Sequence, residues 1–116
     1  DIRLMVYPEA ESFVEIKKDT ACYGISGPDT VIIVITAGEG FGGPIRVGTV
    51  FRKGELIRVR IISHSETPGY GSKITDTTFL NQIVAGRLEA ITGATVSSQA
   101  VFDAVEKAKR IISEVK

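Results

Sequence analysis

The chain has 116 residues, of which 43% are hydrophobic and 24% charged, a size and balance that fit one globular domain with a modest core. Its 14 basic and 14 acidic residues cancel, so no global field recruits nucleic acid or an anionic membrane surface. Cys22 and His64 are the sole residues of their types, which excludes an internal disulfide framework, a cysteine-only zinc or iron–sulfur cluster and a multi-histidine metal site.

In chain order, residues 1–28 mix short apolar runs with Pro8, Gly24, Gly27 and Pro28, a punctuation that predicts one or two short strands. Residues 30–37, Thr-Val-Ile-Ile-Val-Ile-Thr-Ala, form a β-branched run of strand length whose near-continuous apolarity predicts a central strand buried on both faces. Residues 45–52 and 55–62 flank Lys53-Gly54 and largely alternate apolar with charged positions, predicting a half-exposed β-hairpin. Arg46, Arg52, Arg58 and Arg60 on that hairpin suit the solvent face of an antiparallel sheet better than a basic binding stripe.

Residues 77–84 are a short helix candidate with Asp76 as N-cap and Gly86 as stop. A longer C-terminal helix follows. Its apolar residues Val101, Ala104, Val105, Ala108, Ile111, Ile112 and Val115 recur at three- and four-residue intervals, and Asp103, Glu106, Lys107, Lys109 and Arg110 occupy the other side. Together these elements predict an α+β domain over residues 1–116: an antiparallel β-sheet packed by a long C-terminal helix and a short helix. Cys22 is expected as a buried small hydrophobe and His64 in a structural or pocket-edge role.

Three segments carry candidate chemistry. Residues 91–98, Ile-Thr-Gly-Ala-Thr-Val-Ser-Ser, bring small residues into the start of the long helix, where unpaired N–H groups and the positive end of the helix dipole suit a phosphate. The hydroxyls of Thr92, Thr95, Ser97 and Ser98 also suit ordinary helix capping. Residues 66–69, Glu-Thr-Pro-Gly, fit a turn with Pro68 setting φ and Gly69 in the left-handed region of a type II turn. Gly40, Gly42 and Gly43 do not make a dinucleotide loop, because Pro44 and a strand follow them instead of a helix; backbone turning suffices to explain them.

Residues 89–98, Glu-Ala-Ile-Thr-Gly-Ala-Thr-Val-Ser-Ser, closely resemble the flavin-attachment segment of FMN-binding domains in the RnfG/NqrC family of membrane redox complexes. In that family the final threonine, Thr95 here, carries FMN through a phosphoester installed by a separate flavin transferase that reads Asp-x-x-Ser/Thr-Gly-Ala-Ser/Thr. Glu89 stands at the Asp position. Residues 64–73, His-Ser-Glu-Thr-Pro-Gly-Tyr-Gly-Ser-Lys, are similar to the family's Ser-Glu-Thr-Pro-Gly-Leu-Gly loop, with Tyr70 replacing an aliphatic residue. Residues 40–45, Gly-Phe-Gly-Gly-Pro-Ile, resemble the glycine-rich turn before the family's central strands, so ordered matches run from about Gly40 to Val105.

The resemblance, strongest to RnfG, implies covalent FMN on Thr95, with Thr92, Gly93, Ala94 and Ser98 shaping the phosphate site. Glu66, Thr67, Gly69 and Gly71 would line the flavin. It implies an electron-carrying subunit of an ion-translocating ferredoxin/NAD (Rnf-type) or NADH/quinone (Nqr-type) complex, without a catalytic acid–base pair and not catalytic alone. Its partners would be the other membrane subunits of the complex and the flavin transferase, and an N-terminal transmembrane helix outside this chain would anchor it on the extracytoplasmic (periplasmic) face. Two rival readings are a stand-alone extracytoplasmic flavin reductase or sensor, and a redox-inert interaction module in which Thr95 is only a cap.

Overall fold

The computed structural model describes residues 1–115. A short helix α1 (Ile2–Val6) precedes five strands, β1 (Ser12–Lys17), β2 (Ala21–Ser26), β3 (Asp29–Glu39), β4 (Pro44–Arg52) and β5 (Glu55–Ser63). A 3-10 turn (Gly71–Thr75), helix α2 (Thr77–Val84) and the long helix α3 (Thr95–Val115) complete the chain. The strands form one sheet in sequence order β1-β2-β3-β4-β5, every neighbouring pair antiparallel. This is the α+β fold expected, with β3 at its centre.

The two faces of β3 explain its apolar run. Val34 packs toward Ala108 and Ile112 of α3, while Val31 and Ile33 pack with Val6, Tyr7, Cys22 and Val50 on the opposite face. Cys22 is buried, as expected of a small hydrophobe. Helix α3 lies so close to β3 that a Cβ on Gly38 would come within 2.0 Å of the Ala100 carbonyl oxygen, and Thr36 Oγ1 donates to Ala104 O at 2.7 Å. Val101, Ala104, Val105, Ala108 and Ile112 are buried in this interface. At about 1.5–3 kcal/mol for each fully buried Val or Ile, packing dominates the helix's stability.

The N-terminal region differs from expectation in one respect. Both short strands are present, but α1 precedes them, capped by the Asp1 carboxylate accepting from Arg3 N–H at 2.9 Å. Five residues are too few to show a helical period, so the sequence pattern did not reveal it. Its presence corrects the hairpin: β4 is buried along most of its length, because Val6 of α1 covers Gly48, where a Cβ would meet Val6 Cγ2 at 2.2 Å. Arg58 ties this cover down, pairing with Glu9 at 2.6 Å and donating to Val6 O at 3.3 Å. That contact holds Glu9 down at a pKa of about 2, chiefly through the Arg58 hydrogen bonds. Arg52 pairs with Asp29 at 2.6 Å, so both of these hairpin arginines serve local structure.

Helix α2 begins where the sequence placed it, with the Asp76 carboxylate accepting from Thr78 N–H at 3.1 Å. Phe79 of α2 meets Phe102 of α3 with ring centroids 5.8 Å apart, joining both helices over Ile45, Val47 and Val59 of the sheet. The shared core fixes where α3 starts, and therefore where its first turn points. Among the described residues no helix is long and apolar enough to cross a membrane.

Candidate functional site

A cavity of about 480 Å³ opens where three turns meet: the β3–β4 connection, the loop after β5 and the entry to α3. Its size is that of a small-molecule pocket. The glycine turn contributes Phe41, the loop contributes Thr67, Tyr70 and Gly71, and the helix entry contributes Gly93, Ala94, Thr95, Val96 and Ser97. None of these side chains is charged. A second cavity, of about 410 Å³, lies between α1 and β1–β3 and contains none of the three candidate segments.

The loop after β5 turns at Thr67-Pro68-Gly69-Tyr70, where Tyr70 N–H donates to Thr67 O at 3.1 Å and Gly69 has φ +80°. That φ at the third position is the type II geometry expected from Pro-Gly. His64 supports the same loop, its Nδ1 accepting from Glu66 N–H at 3.1 Å.

Glu66 has a structural role that local sequence cannot show. Its residue is 5% exposed, and its carboxylate accepts from Phe41 N–H at 2.8 Å, Gly42 N–H at 2.6 Å and Ser97 Oγ at 2.5 Å. Burial pushes its pKa up, but the hydrogen bonds from Ser97, Gly42 and Phe41 outweigh burial and hold it below the usual glutamate value. One ionised carboxylate thus clasps the glycine turn to the first turn of α3. Three glycines make room for it: a Cβ on Gly40 would stand 2.5 Å from Glu66 Oε1, one on Gly42 2.8 Å from Oε2 and one on Gly71 2.7 Å from Cβ. Turning, the reading preferred from sequence over close approach to a ligand, therefore covers Gly43 with its φ of +125° but not Gly40 or Gly42, whose space is taken by Glu66.

At the helix entry, Ala94 N–H donates to Ile91 O at 2.9 Å across a turn in which Gly93 has φ +81°. Ser98 Oγ accepts from Ile91 N–H at 3.0 Å and so pins this turn to the helix. Among the described residues no side chain accepts from the N–H groups of Thr95, Val96 or Ser97; the helix ladder opens with Ser98 N–H to Ala94 O at 2.9 Å. The four hydroxyls of this segment consequently divide. Ser97 and Ser98 are buried and engaged with Glu66 and Ile91, whereas Thr92 and Thr95 are exposed, and of these two it is Thr95 that lines the cavity.

Of the residues nominated from sequence, Thr67, Gly71, Gly93, Ala94 and Thr95 meet at the cavity. Glu66 and Ser98 stand behind its wall, with their polar atoms satisfied by the protein, and Thr92 and Gly69 lie on the exposed turns beside it. Phe41, Val96 and Ser97 belong to the cavity but were not nominated as ligand contacts. Phe41 and Ser97 are held there by Glu66, to which Phe41 N–H donates from 25 residues away and Ser97 Oγ from 31, contacts that no local pattern encodes.

The family model of the FMN-binding domain matches residues 40–110. The chain therefore belongs to the FMN-binding domain family, and the match begins at the glycine turn and ends in α3. Among curated proteins it is 31% identical over 108 residues to the RnfG subunit of the ion-translocating oxidoreductase complex of Buchnera aphidicola subsp. Acyrthosiphon pisum, covering 76% of this chain and 66% of that protein. It is 32% identical over 121 residues to the RnfG protein of the same name from Cronobacter sakazakii, covering 86% of this chain and 54% of that one. The chain thus spans between about half and two thirds of the length of these relatives. A crystal structure of NqrC, a subunit of the Na(+)-translocating NADH-quinone reductase, from Parabacteroides distasonis has the same fold, with a TM-score of 0.65, 15% identity and coverage of 80% of this chain and 62% of that one.

The residues present fit FMN. The cavity has the right order of size, it is bounded by neutral and aromatic groups suited to a flat ring, and the start of α3 offers N–H groups to a phosphate.

Proposed function

We propose that this domain carries FMN as a phosphoester on Thr95 and serves as an electron-transfer subunit of a membrane-bound, ion-translocating oxidoreductase complex of the Rnf or Nqr type. The observation that carries the attachment site is the division of the hydroxyls: Thr95 alone among the four is exposed, lines the cavity and sits in the first turn of α3. Glu89, at the position of the family's Asp, is also exposed, so a flavin transferase has access to both ends of the motif.

The absence of charge in the cavity lining supports a covalent link. No lining side chain is cationic, so the phosphate of free FMN would be held by neutral hydroxyl and N–H donors and the helix dipole. In the linked form the Thr95 oxygen takes the place of one phosphate oxygen of FMN: the Thr95 O–H bond and one phosphorus–oxygen bond break, the ester P–O bond forms, and the net loss relative to free FMN is one water. Retention then no longer depends on affinity.

When bound, FMN supplies the redox chemistry, accepting and donating electrons at its ring. The chain's own part is to hold and orient. Gly93 and Ala94 leave the helix entry open, the Thr67–Tyr70 turn forms the facing wall, and Glu66 keeps the glycine turn against α3. In this reading the other subunits of the proposed complex complete the electron path, and a transmembrane helix outside this chain holds the domain on the extracytoplasmic face.

Co-expression with a flavin transferase followed by intact and peptide mass spectrometry tests it. The expected result is a gain of one FMN less one water on the peptide containing Thr95, abolished in Thr95→Ala. A wild-type chain that gains no mass while a control substrate is modified in parallel would refute covalent attachment. Non-covalent FMN or a redox-inert interaction module would then be the better account.

A further inference from the structure

Resting on the flavin reading above, we propose that Phe41 and Tyr70 are the side chains that hold the flat ring of the flavin, and that Glu66 is the positioning residue that sets Phe41. Phe41 is 81% exposed and Tyr70 64% exposed, the two highest values among the exposed large apolar side chains of the described residues. Both line the cavity that contains Thr95. A large aromatic surface left in water beside an uncharged pocket is a surface made for an apolar partner.

Neither aromatic rides on a loose tip. Phe41 N–H is bound by Glu66 Oε1 at 2.8 Å and the next N–H, that of Gly42, by Oε2 at 2.6 Å. Tyr70 donates its N–H to Thr67 O at 3.1 Å and accepts at its carbonyl from Lys73 N–H at 3.0 Å. Two backbones fixed by different elements thus present aromatic side chains to one cavity. The ligand class follows from this: a planar aromatic system, recognised by ring contact, with its charged end at the start of α3.

Glu66 acts through these turns instead of touching the ring, since its three acceptor contacts all go to the protein. Lengthening or breaking them moves Phe41 at one end and Ser97 at the other. Tyr70 is held by its own turn, whose hydrogen bonds do not involve the Glu66 carboxylate.

The test loads the wild-type chain and the variants Phe41→Ala, Tyr70→Ala, Tyr70→Phe and Glu66→Gln with FMN by co-expression with a flavin transferase. Peptide mass verifies one FMN on Thr95, and flavin fluorescence lifetimes then give the bimolecular quenching constant for iodide. The expected result is a several-fold rise in quenching for Phe41→Ala and Tyr70→Ala, with melting temperatures near wild type because both side chains are exposed. Tyr70→Phe should retain the wild-type shielding, and Glu66→Gln should behave like Phe41→Ala. Unchanged quenching in both alanine variants that carry FMN on Thr95 would overturn the proposal while the flavin reading stands. Wild-type shielding in Glu66→Gln would overturn the positioning role. A wild-type chain without FMN on Thr95, while a control substrate is modified in parallel, would overturn the covalent reading and with it this proposal as stated, a result that the mass measurement alone reveals.

Discussion

In the turn at residues 40–43 a Cβ on Gly42 would stand 2.2 Å from Ser65 O, whereas in the turn at residues 91–94 a Cβ on Gly93 would meet nothing within 4 Å. Gly93 has φ +81°, a conformation costly to residues with a Cβ, while Gly42 is not among the residues with positive φ. Gly42 is needed for space and Gly93 for torsion. Crowding marks the side of the cavity built around a buried carboxylate; openness marks the side where the entry to α3 lines it.

Gly42→Ala should therefore cost more stability than substitution of Gly93 or Thr95 by alanine on the open side. The clashing atoms include backbone, which cannot swing aside as a flexible side chain would, and forcing a methyl group into such a packed position costs ~2 kcal/mol or more. Thermal denaturation should show a melting point lower by several degrees, and the bonds of Phe41 and Gly42 to Glu66 should loosen together in amide exchange. A wild-type melting point would mean that the glycine turn is mobile enough to accept the Cβ, which would break the distinction between the turns.

Glu66→Gln tests the carboxylate itself. An amide placed there has one acceptor oxygen and faces at least one N–H with its own NH₂ group, at a cost of about 1–3 kcal/mol for the unsatisfied buried donor. The pH dependence has a definite sign. The folded-state pKa of Glu66 lies below the ordinary glutamate value of 4.5, so its stabilising contribution is complete above that value and is lost as pH falls through the folded-state pKa. Wild type should exceed Glu66→Gln in stability near neutrality, and the gap should shrink as pH falls below 4.5. Glu9, held at about 2 by Arg58, titrates in both proteins and cancels from the difference. A gap that stayed constant in acid would show that the charge on Glu66 is immaterial to the clasp.

The contrast between the turns also shows what a sequence can carry. Strand β3, the β4–β5 hairpin, the Asp76 cap of α2 and the apolar face of α3 were legible because each depends on composition or spacing within a few residues. The small-residue entry to α3 and the Pro-Gly turn were legible for the same reason. The role of Gly40 and Gly42 was not, because the group that excludes their side chains is Glu66, and a local pattern of glycines looks the same whether it supplies torsion or space. Phe41 was missed with them. Helix α1 was hidden differently, by brevity, and with it the cover that buries β4.

Gly93→Ala sharpens the comparison from the open side. Adding a Cβ meets no neighbour, so the cost should be torsional alone, ~1 kcal/mol. The melting point should fall less than in Gly42→Ala, and replacement by Asn, which tolerates the left-handed region better, should recover part of the loss. Equal losses in Ala and Asn variants would mean that φ is not what glycine provides there.

Thr95→Ala should perturb the fold least and the cofactor most. Its side chain is exposed, and no hydrogen bond from its hydroxyl holds the helix start; Ser98 does so instead, accepting from Ile91 N–H at 3.0 Å. An exposed position without such a contact changes stability by roughly 0.5 kcal/mol or less, whereas Ser98→Ala removes a buried acceptor and should cost about 1–3 kcal/mol. Denaturant midpoints of the flavin-free proteins measure this difference directly. If Thr95→Ala proved as destabilising as Ser98→Ala, Thr95 would be a structural cap, and the separation between hydroxyls that build the helix entry and the hydroxyl left for FMN would fail.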